Sequence, residues 1–194
     1  PRTRAAYARG KIAAELELQR QRAQGLAITV VRPAIVLAPG SSPAHSGVGL
    51  WSRDNQCVGW NRGTNPLPLV LAQDCAAALV QALDAPAAAN RAYNLAGPVR
   101  PTARDYVQVL RARTGRDYHF HGQPVWWLWA VEVGKFLIKA LARKPREFPS
   151  LRDLRSRGFT APLDVRDAEA DLGFRPEADR ERFFAQLFGP ESRA

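Results

Sequence analysis

Cysteine is scarce: Cys57 and Cys75 are the only two in 194 residues. Two cysteines make no disulfide framework, and they read as reduced thiols of a cytosolic protein, with a single bridge between them as the alternative. Histidine is nearly as rare. His119 and His121 would share one face of a strand, but no further Cys or His cluster accompanies them, so no metal site is expected. No Gly-x-x-Gly-x-x-Gly turn follows a predicted strand, so these residues hold no glycine-rich cradle for a pyrophosphate. Zinc-finger and RNA-recognition signatures are missing, which argues against a nucleic-acid partner. Nothing resembles a signal peptide, because the N-terminal stretch is a charged helix, and a cytoplasmic location is expected. There is no internal repeat, and the only biased tract is the Ala-rich loop 85–89.

What is present is an ordinary globular composition with an unusual charge. At 46% hydrophobic residues, the chain can form one domain with a sizeable core, or most of a larger one. Its formal charge of +10 invites anionic partners: the phosphates of a dinucleotide or nucleotide-sugar, a membrane surface, or nucleic acid. Much of the excess is local, since Lys135, Lys139, Arg143, Lys144, Arg146, Arg152, Arg155 and Arg157 face only Glu147 and Asp153 between positions 135 and 157. Such a run is a solvated face, a phosphate-recognition surface or an anionic-surface contact.

Residues 3–24 read as a helix carrying Tyr7 and Lys11, four apart and therefore on one face. An ammonium beside a phenol stabilises the phenolate, which suits a phenol that gives and takes a proton. Gly25 is a C-cap, and the β-branched run 26–31 predicts a strand buried on both faces. It ends in Arg32-Pro33-Ala34-Ile35-Val36-Leu37-Ala38-Pro39-Gly40. This Tyr-x-x-x-Lys helix, followed by a strand ending in Arg-Pro-x-x-Val-x-x-Pro-Gly, resembles the extended short-chain dehydrogenase/reductases, the NAD-dependent epimerase/dehydratase group. Three later blocks follow that family's order: a short strand at 66–71 leading into Gln73-Asp74 and a helix to Asp84, Tyr93-Asn94-Leu95-Ala96-Gly97, and Leu163 to Pro176 with its Leu172-Gly173-Phe174-Arg175-Pro176 ending. Asp167 stands where the family usually has another residue type.

The resemblance implies an α/β fold: the later part of a doubly wound, parallel-sheet NAD(P)-binding domain plus a mixed α/β substrate-binding region. Residues 1–40 would be the C-terminal part of the dinucleotide-binding domain and 41–194 the substrate-binding region, with 66–97 returning strands and a helix to the main sheet. It implies Tyr7 and Lys11 as the catalytic pair, and Tyr7, Lys11, Pro33, Ile35 and Val36 against NAD or NADP. The family's glycine-rich turn and its upstream Ser or Thr would precede Pro1. The chain is therefore expected to be a truncated chain or one chain of a split protein, inactive alone and binding no NAD(H) saturably, with the missing N-terminal half in the same or another chain. Also implied are hydride transfer on a sugar nucleotide or similar alcohol or ketone, and a homodimer through the 3–24 helix. The rival reading is a non-catalytic truncated domain acting as a membrane-associated or protein-interaction module.

The remaining stretches carry fewer signals. Residues 39–65 read as a long irregular connection with at most one short helix or strand, in which Arg53, Asn55, Asn61, Arg62 and Asn65 are candidates to grip a polar substrate. Loop solubility explains the same residues. Thr102 and Gly115 bracket a helix, residues 118–121 alternate like a strand, 148–157 make a basic helical turn, and a last helix over 179–187 buries Phe183, Phe184 and Leu187. Residues 124–143 are apolar around most of a helix and too short and charged to span a membrane. Three readings stay open there: a helix packed on the core, a wall of a substrate pocket or subunit contact, or an interfacial helix on a lipid surface.

Overall fold

The computed structural model describes residues 6–52, 55–143, 148–159 and 162–189. Helix α1 (Ala6–Ala23) ends as expected near Gly25, which takes the left-handed φ of 96° that a glycine tolerates best. The strand after it is shorter and later than its apolar run predicts. β1 is Val30–Pro33, because its ladder partner β6 (Ala92–Leu95) begins only at Ala92 and pairs with it in parallel. Residues 28 and 29 are held instead by Asn90 Oδ1, which accepts the Ile28 N–H at 3.1 Å, and by the Ala88 carbonyl, which accepts from Thr29 Oγ1 at 2.7 Å.

β1 is not buried on both faces. Val30 and Val31 are half-buried, Arg32 and Pro33 are exposed, and among the described strands β6 is its one neighbour. The strand that does bury both faces is β5 (Leu69–Leu71), which pairs in parallel with β2 (Ile35–Leu37). Its alternation sends Leu69 and Leu71 into one core cluster, with Tyr106, Leu110, Phe183 and Phe184, and Val70 into another, with Tyr93, Ala168, Leu172 and Phe174. Ala34 is the pivot between the two ladders. Its N–H donates to the Leu95 carbonyl at 2.8 Å, the next N–H, of Ile35, donates to Pro68 at 3.0 Å, and Gly97 donates to Leu69 at 2.7 Å.

A third sheet stands where an irregular connection was expected. β3 (Gly49–Trp51) is antiparallel to β4 (Gln56–Trp60), and β7 (His119–Gln123) runs parallel to β4 on its other side. The glycines that suggest a loop are ladder residues that let neighbours come close. A Cβ at Gly49 would meet Cys57 Sγ at 2.6 Å, and one at Gly59 would meet the Phe120 ring at 2.0 Å.

The helices begin and end much as their capping residues indicate. α2 (Ala72–Asp84) has Asp74 in its first turn, where the carboxylate accepts the Glu177 N–H at 3.1 Å. α3 (Ala103–Thr114) carries a complete capping box between Thr102 and Asp105 and stops at left-handed Gly115. α4 is Val125–Leu141, α5 Leu151–Arg157, α6 Arg166–Asp171 and α7 Arg180–Phe188. Beyond α6, left-handed Gly173 turns the chain so that the Phe174 N–H reaches the Ala168 carbonyl at 3.1 Å and the ring is buried. Asp167 is held by Arg91 at 3.2 Å, and Asp171 by Arg91 at 3.3 Å and by the Tyr93 hydroxyl at 2.9 Å.

Apolar surface is left open beside β1. A cleft of about 570 Å³ is lined by Ala27, Val31, Leu79, Ala82 and Leu83, and Leu79 and Leu83 are 51% and 85% exposed. A monomeric soluble protein seldom leaves such residues together in water.

Both cysteines are free and buried, in separate clusters. Burial pushes the Cys57 thiol from 9.0 up to about 12, and burial together with the Asp74 charge pushes Cys75 up to about 11. Neither is expected to react with iodoacetamide at pH 8 in the native protein, whereas both react in denaturant, as mass spectrometry would record. The folded pKa values lie above the unfolded ones, so the stabilisation from burying neutral thiols is complete below the ordinary thiol range. It declines as pH rises from about 9 toward 11–12.

Candidate functional site

The site is built on the face of α1 that repeats every four residues. Tyr7, Lys11 and Glu15 follow one another along it. Lys11 Nζ lies 5.7 Å from the centroid of the Tyr7 ring, and Tyr7 is 77% exposed, so the phenol is largely open to solvent. Glu15 forms an ion pair with Arg32, the residue just before Pro33 at the end of β1.

Two contacts set the direction of the helix. Near its C-terminus, Arg22 Nη2 donates to the carbonyls of Ile28 at 2.7 Å and Arg91 at 3.4 Å, at the beginning of β1 and β6. Glu15 meets Arg32 near the other end of β1, so α1 runs antiparallel to the strand. Eight residues separate Glu15 from Tyr7, which at about 1.5 Å per residue carries the phenol some 12 Å further along the helix axis. Tyr7 and Lys11 therefore project beyond the carboxyl end of β1, the side on which open α/β sheets bind ligands.

The three other residues expected there occupy the same end. Pro33 closes β1 and is exposed, Ile35 opens β2 and packs half-buried against the first core cluster, and Val36 is 38% exposed. Their backbone is engaged in the crossing from one ladder to the next, which fixes where the exposed Pro33 and Val36 stand.

Of the candidate substrate residues, Asn61 and Asn65 are engaged within the fold. Arg53 lies outside the described residues. Asn61 adopts φ 53° at the end of β4, its N–H donates to the Gln123 carbonyl at 2.8 Å, and its Oδ1 accepts the Val125 N–H at 3.2 Å. That oxygen caps the first turn of α4. Asn65 donates from Nδ2 to the Gly158 carbonyl, so it ties the segment between β4 and β5 to the C-cap of α5. Arg62 is exposed next to Asn61, with its carbonyl accepting from Arg104 at 3.5 Å.

His119 and His121 do share a face, with rings 6.4 Å apart, but each is engaged elsewhere: His119 with Asp117 at 2.9 Å and His121 with Gln56 at 2.7 Å. Among the described residues no group of three His, Cys, Asp or Glu could hold a metal.

The contributor that motif reading overlooks is Glu15, whose signal is that it continues the Tyr7–Lys11 spacing; its partner Arg32 belongs to the Arg-Pro motif itself. Chemically, the arrangement can present a phenol hydroxyl and a neighbouring ammonium to a ligand seated over the carboxyl end of a parallel strand.

Residues 1–96 match the NAD dependent epimerase/dehydratase family. No curated protein matches the chain. Among solved structures, it is similar to the UDP-glucuronic acid 4-epimerase of Bacillus cereus, in complex with UDP-glucuronic acid and NAD. That likeness has 14% identity and TM-score 0.56, covering 84% of this chain and 45% of that one. The UDP-glucose 4-epimerase of Thermotoga maritima, with UDP-glucose, is 20% identical with TM-score 0.59 over 92% of this chain and 50% of its own. RMD from Pseudomonas aeruginosa, complexed with NADPH, is 15% identical with TM-score 0.61 over 95% and 55%. At these identities the likeness is one of fold: α/β, with Rossmann-like parallel pairing. The chain spans about half the length of the solved structures it matches.

Proposed function

We propose that the chain, whose residues 1–96 match the NAD dependent epimerase/dehydratase family, forms the tyrosine-bearing half of an NAD(P)-dependent epimerase, dehydratase or reductase acting on a sugar nucleotide. The observation that carries this reading is the exposed Tyr7–Lys11 pair projecting past the carboxyl end of β1, with α1 tied to that strand by Glu15 and Arg32.

The residues fit one end of a nicotinamide dinucleotide. Tyr7 and Lys11 on one side and the Pro33, Ile35 and Val36 segment on the other would hold the nicotinamide and its ribose. The pyrophosphate needs a glycine-rich turn opening a helix. The junction from β5 into α2 has Leu71 at the N-cap and no glycine, so it cannot serve. That cradle would come from the half that precedes these residues in the family, in the same or another chain. When bound, the dinucleotide supplies a hydride acceptor or donor. Tyr7 Oη removes the proton of the substrate hydroxyl or returns it, and the Lys11 ammonium steadies the phenolate that alternates with the phenol. Arg62, with Arg53, would meet a diphosphate, for which the guanidinium fork is suited. A homodimer contact is assigned to α1, where Ile12 and Leu16 are 41% and 50% exposed one turn apart.

The test uses the full-length protein, titrated with NAD(H) and NADP(H) by fluorescence and then assayed with UDP-glucose and UDP-glucuronic acid as probes. Saturable binding of one dinucleotide, and turnover of a sugar nucleotide with KM between about 1 μM and 1 mM, are expected. Absence of saturable binding for both dinucleotides would sink the enzyme reading and leave the rival, a non-catalytic interaction module.

A further inference from the structure

Helix α4 has two apolar faces. Its inner face seats Val125 and Leu128 against Trp60, with Leu154 of α5 packed beside them. Lys135 and Lys139 continue the Leu128 stripe at i+7 and i+11, so the lysines run along the inner flank. The outer face, where a water-exposed helix carries its charges, holds Trp127, Val131, Ile138 and Leu141 in one stripe, with Trp126 and Leu137 beside it. Trp126, Leu137, Ile138 and Leu141 are 66%, 56%, 69% and 86% exposed. Of the three readings of this helix, packing on the core therefore accounts for one narrow face alone.

α5 extends this surface. The Trp129 indole N–H donates to the Pro149 carbonyl at 3.1 Å, and Phe148 sets its ring edge to face with Phe136 at 5.2 Å, which docks the segment before α5 on α4. Phe148 and Phe159 are exposed beside exposed Arg152, Arg155 and Arg157. Among the described residues of 125–159, Lys135, Lys139, Arg143, Arg152, Arg155 and Arg157 stand against Glu132 and Asp153 alone.

We propose that α4 and α5 dock this protein on an anionic membrane surface. The outer stripe of α4 enters the boundary between headgroups and acyl chains, with Trp126 and Trp127 at headgroup depth, and the lysines and arginines meet lipid phosphates. The helix lies on the membrane rather than through it, since no helix of the described residues is long and apolar enough to cross one. Charge selects lipid over a second copy of the same face. Lys135 is paired with Glu132 at 2.7 Å and Arg157 lies over the Trp60 ring, so self-pairing would set Lys139, Arg143, Arg152 and Arg155 of one copy against the same four of the other, whereas an anionic bilayer supplies apolar depth and opposite charge together. The proposal does not rest on dinucleotide chemistry, so its failure and that of the enzyme reading are separable.

The experiment is co-sedimentation of the full-length protein with phosphatidylcholine vesicles and with vesicles containing phosphatidylglycerol at roughly 30%. Each basic residue near an anionic surface strengthens binding by about fivefold, so partition should be at least about tenfold higher on the anionic vesicles. That preference should fade as salt shortens the screening length from about 10 Å at 0.1 M to about 3 Å at 1 M. Leu137→Glu with Ile138→Glu changes exposed positions, leaves the circular dichroism spectrum unchanged, and should lower partition by about tenfold or more. Arg152→Glu with Arg155→Glu should lower it similarly. Equal partition on neutral and anionic vesicles would overturn the proposal, as would partition unaffected by the Leu137 and Ile138 changes. So would lipid-free self-association in light scattering that those changes abolish, because it would assign the face to a protein partner.

Discussion

On the proposed hydride-transfer function, replacing Tyr7 with phenylalanine in the full-length protein is expected to lower turnover by about 10²- to 10⁴-fold, the usual contribution of a positioned acid or base. The substitution removes one oxygen and keeps the ring beside which Lys11 sits at 5.7 Å. Because the side chain is 77% exposed, no packing is lost, and stability should change by less than about 0.5 kcal/mol. Dinucleotide affinity should fall far less than turnover, because the ring and the Lys11 ammonium remain, so most of the loss would appear in kcat rather than in binding. Lys11→Met should behave differently and weaken dinucleotide binding as well, since the ammonium is assigned to the ribose as well as to the phenolate. A Tyr7→Phe enzyme turning over within about threefold of the parent would remove the phenol from the chemistry. The Glu15–Arg32 ion pair would then be an ordinary helix tether.

The largest loss of stability is expected at Phe184, where truncation to alanine should cost about 3–5 kcal/mol in urea unfolding. Phe184 is 1% exposed, meets Phe183 edge to face at 5.4 Å, stacks on Phe188 at 6.2 Å and approaches Tyr106 at 6.5 Å. These rings join α7 to α3 and to the inner side of β5 through Leu69 and Leu71. Removing one ring leaves a void that its rigid aromatic neighbours cannot fill. A cost under about 1 kcal/mol would show that α7 is not seated in this core.

Where the fold could be read from the chain, the signal was local. Thr102, Asp105 and Gly115 define α3 because both ends of a helix are settled by groups within three residues of it. Leu172-Gly173-Phe174 ends α6 by the same logic, with a left-handed glycine and one buried ring. Phe183, Phe184 and Leu187 point inward at helical spacing, and all three are buried.

What misled was equally physical. The apolar run 26–31 indicates burial on two faces, yet a strand is buried only where neighbours cover it, and those present cover β5 instead. In 39–65, glycine promises irregular backbone, but Gly49 and Gly59 serve close contact inside a ladder. Asn61 reads as a polar loop residue with a free amide, while its oxygen caps a helix 64 residues later.

By itself, then, the sequence determined the helix that carries Tyr7 and Lys11 on one face, the caps, the two-sided apolar character of 124–143 and the order of motifs that resembles the epimerase/dehydratase family. Spacing and capping are short-range, and a single chain states them completely. Only the tertiary structure decided that α1 runs antiparallel to β1 and lies against it through Glu15 and Arg32, carrying the phenol past the strand's end. It also decided that Asn61 holds α4, and that the second apolar face of α4 points outward. Each of these depends on groups distant in sequence meeting in space, which no periodicity records.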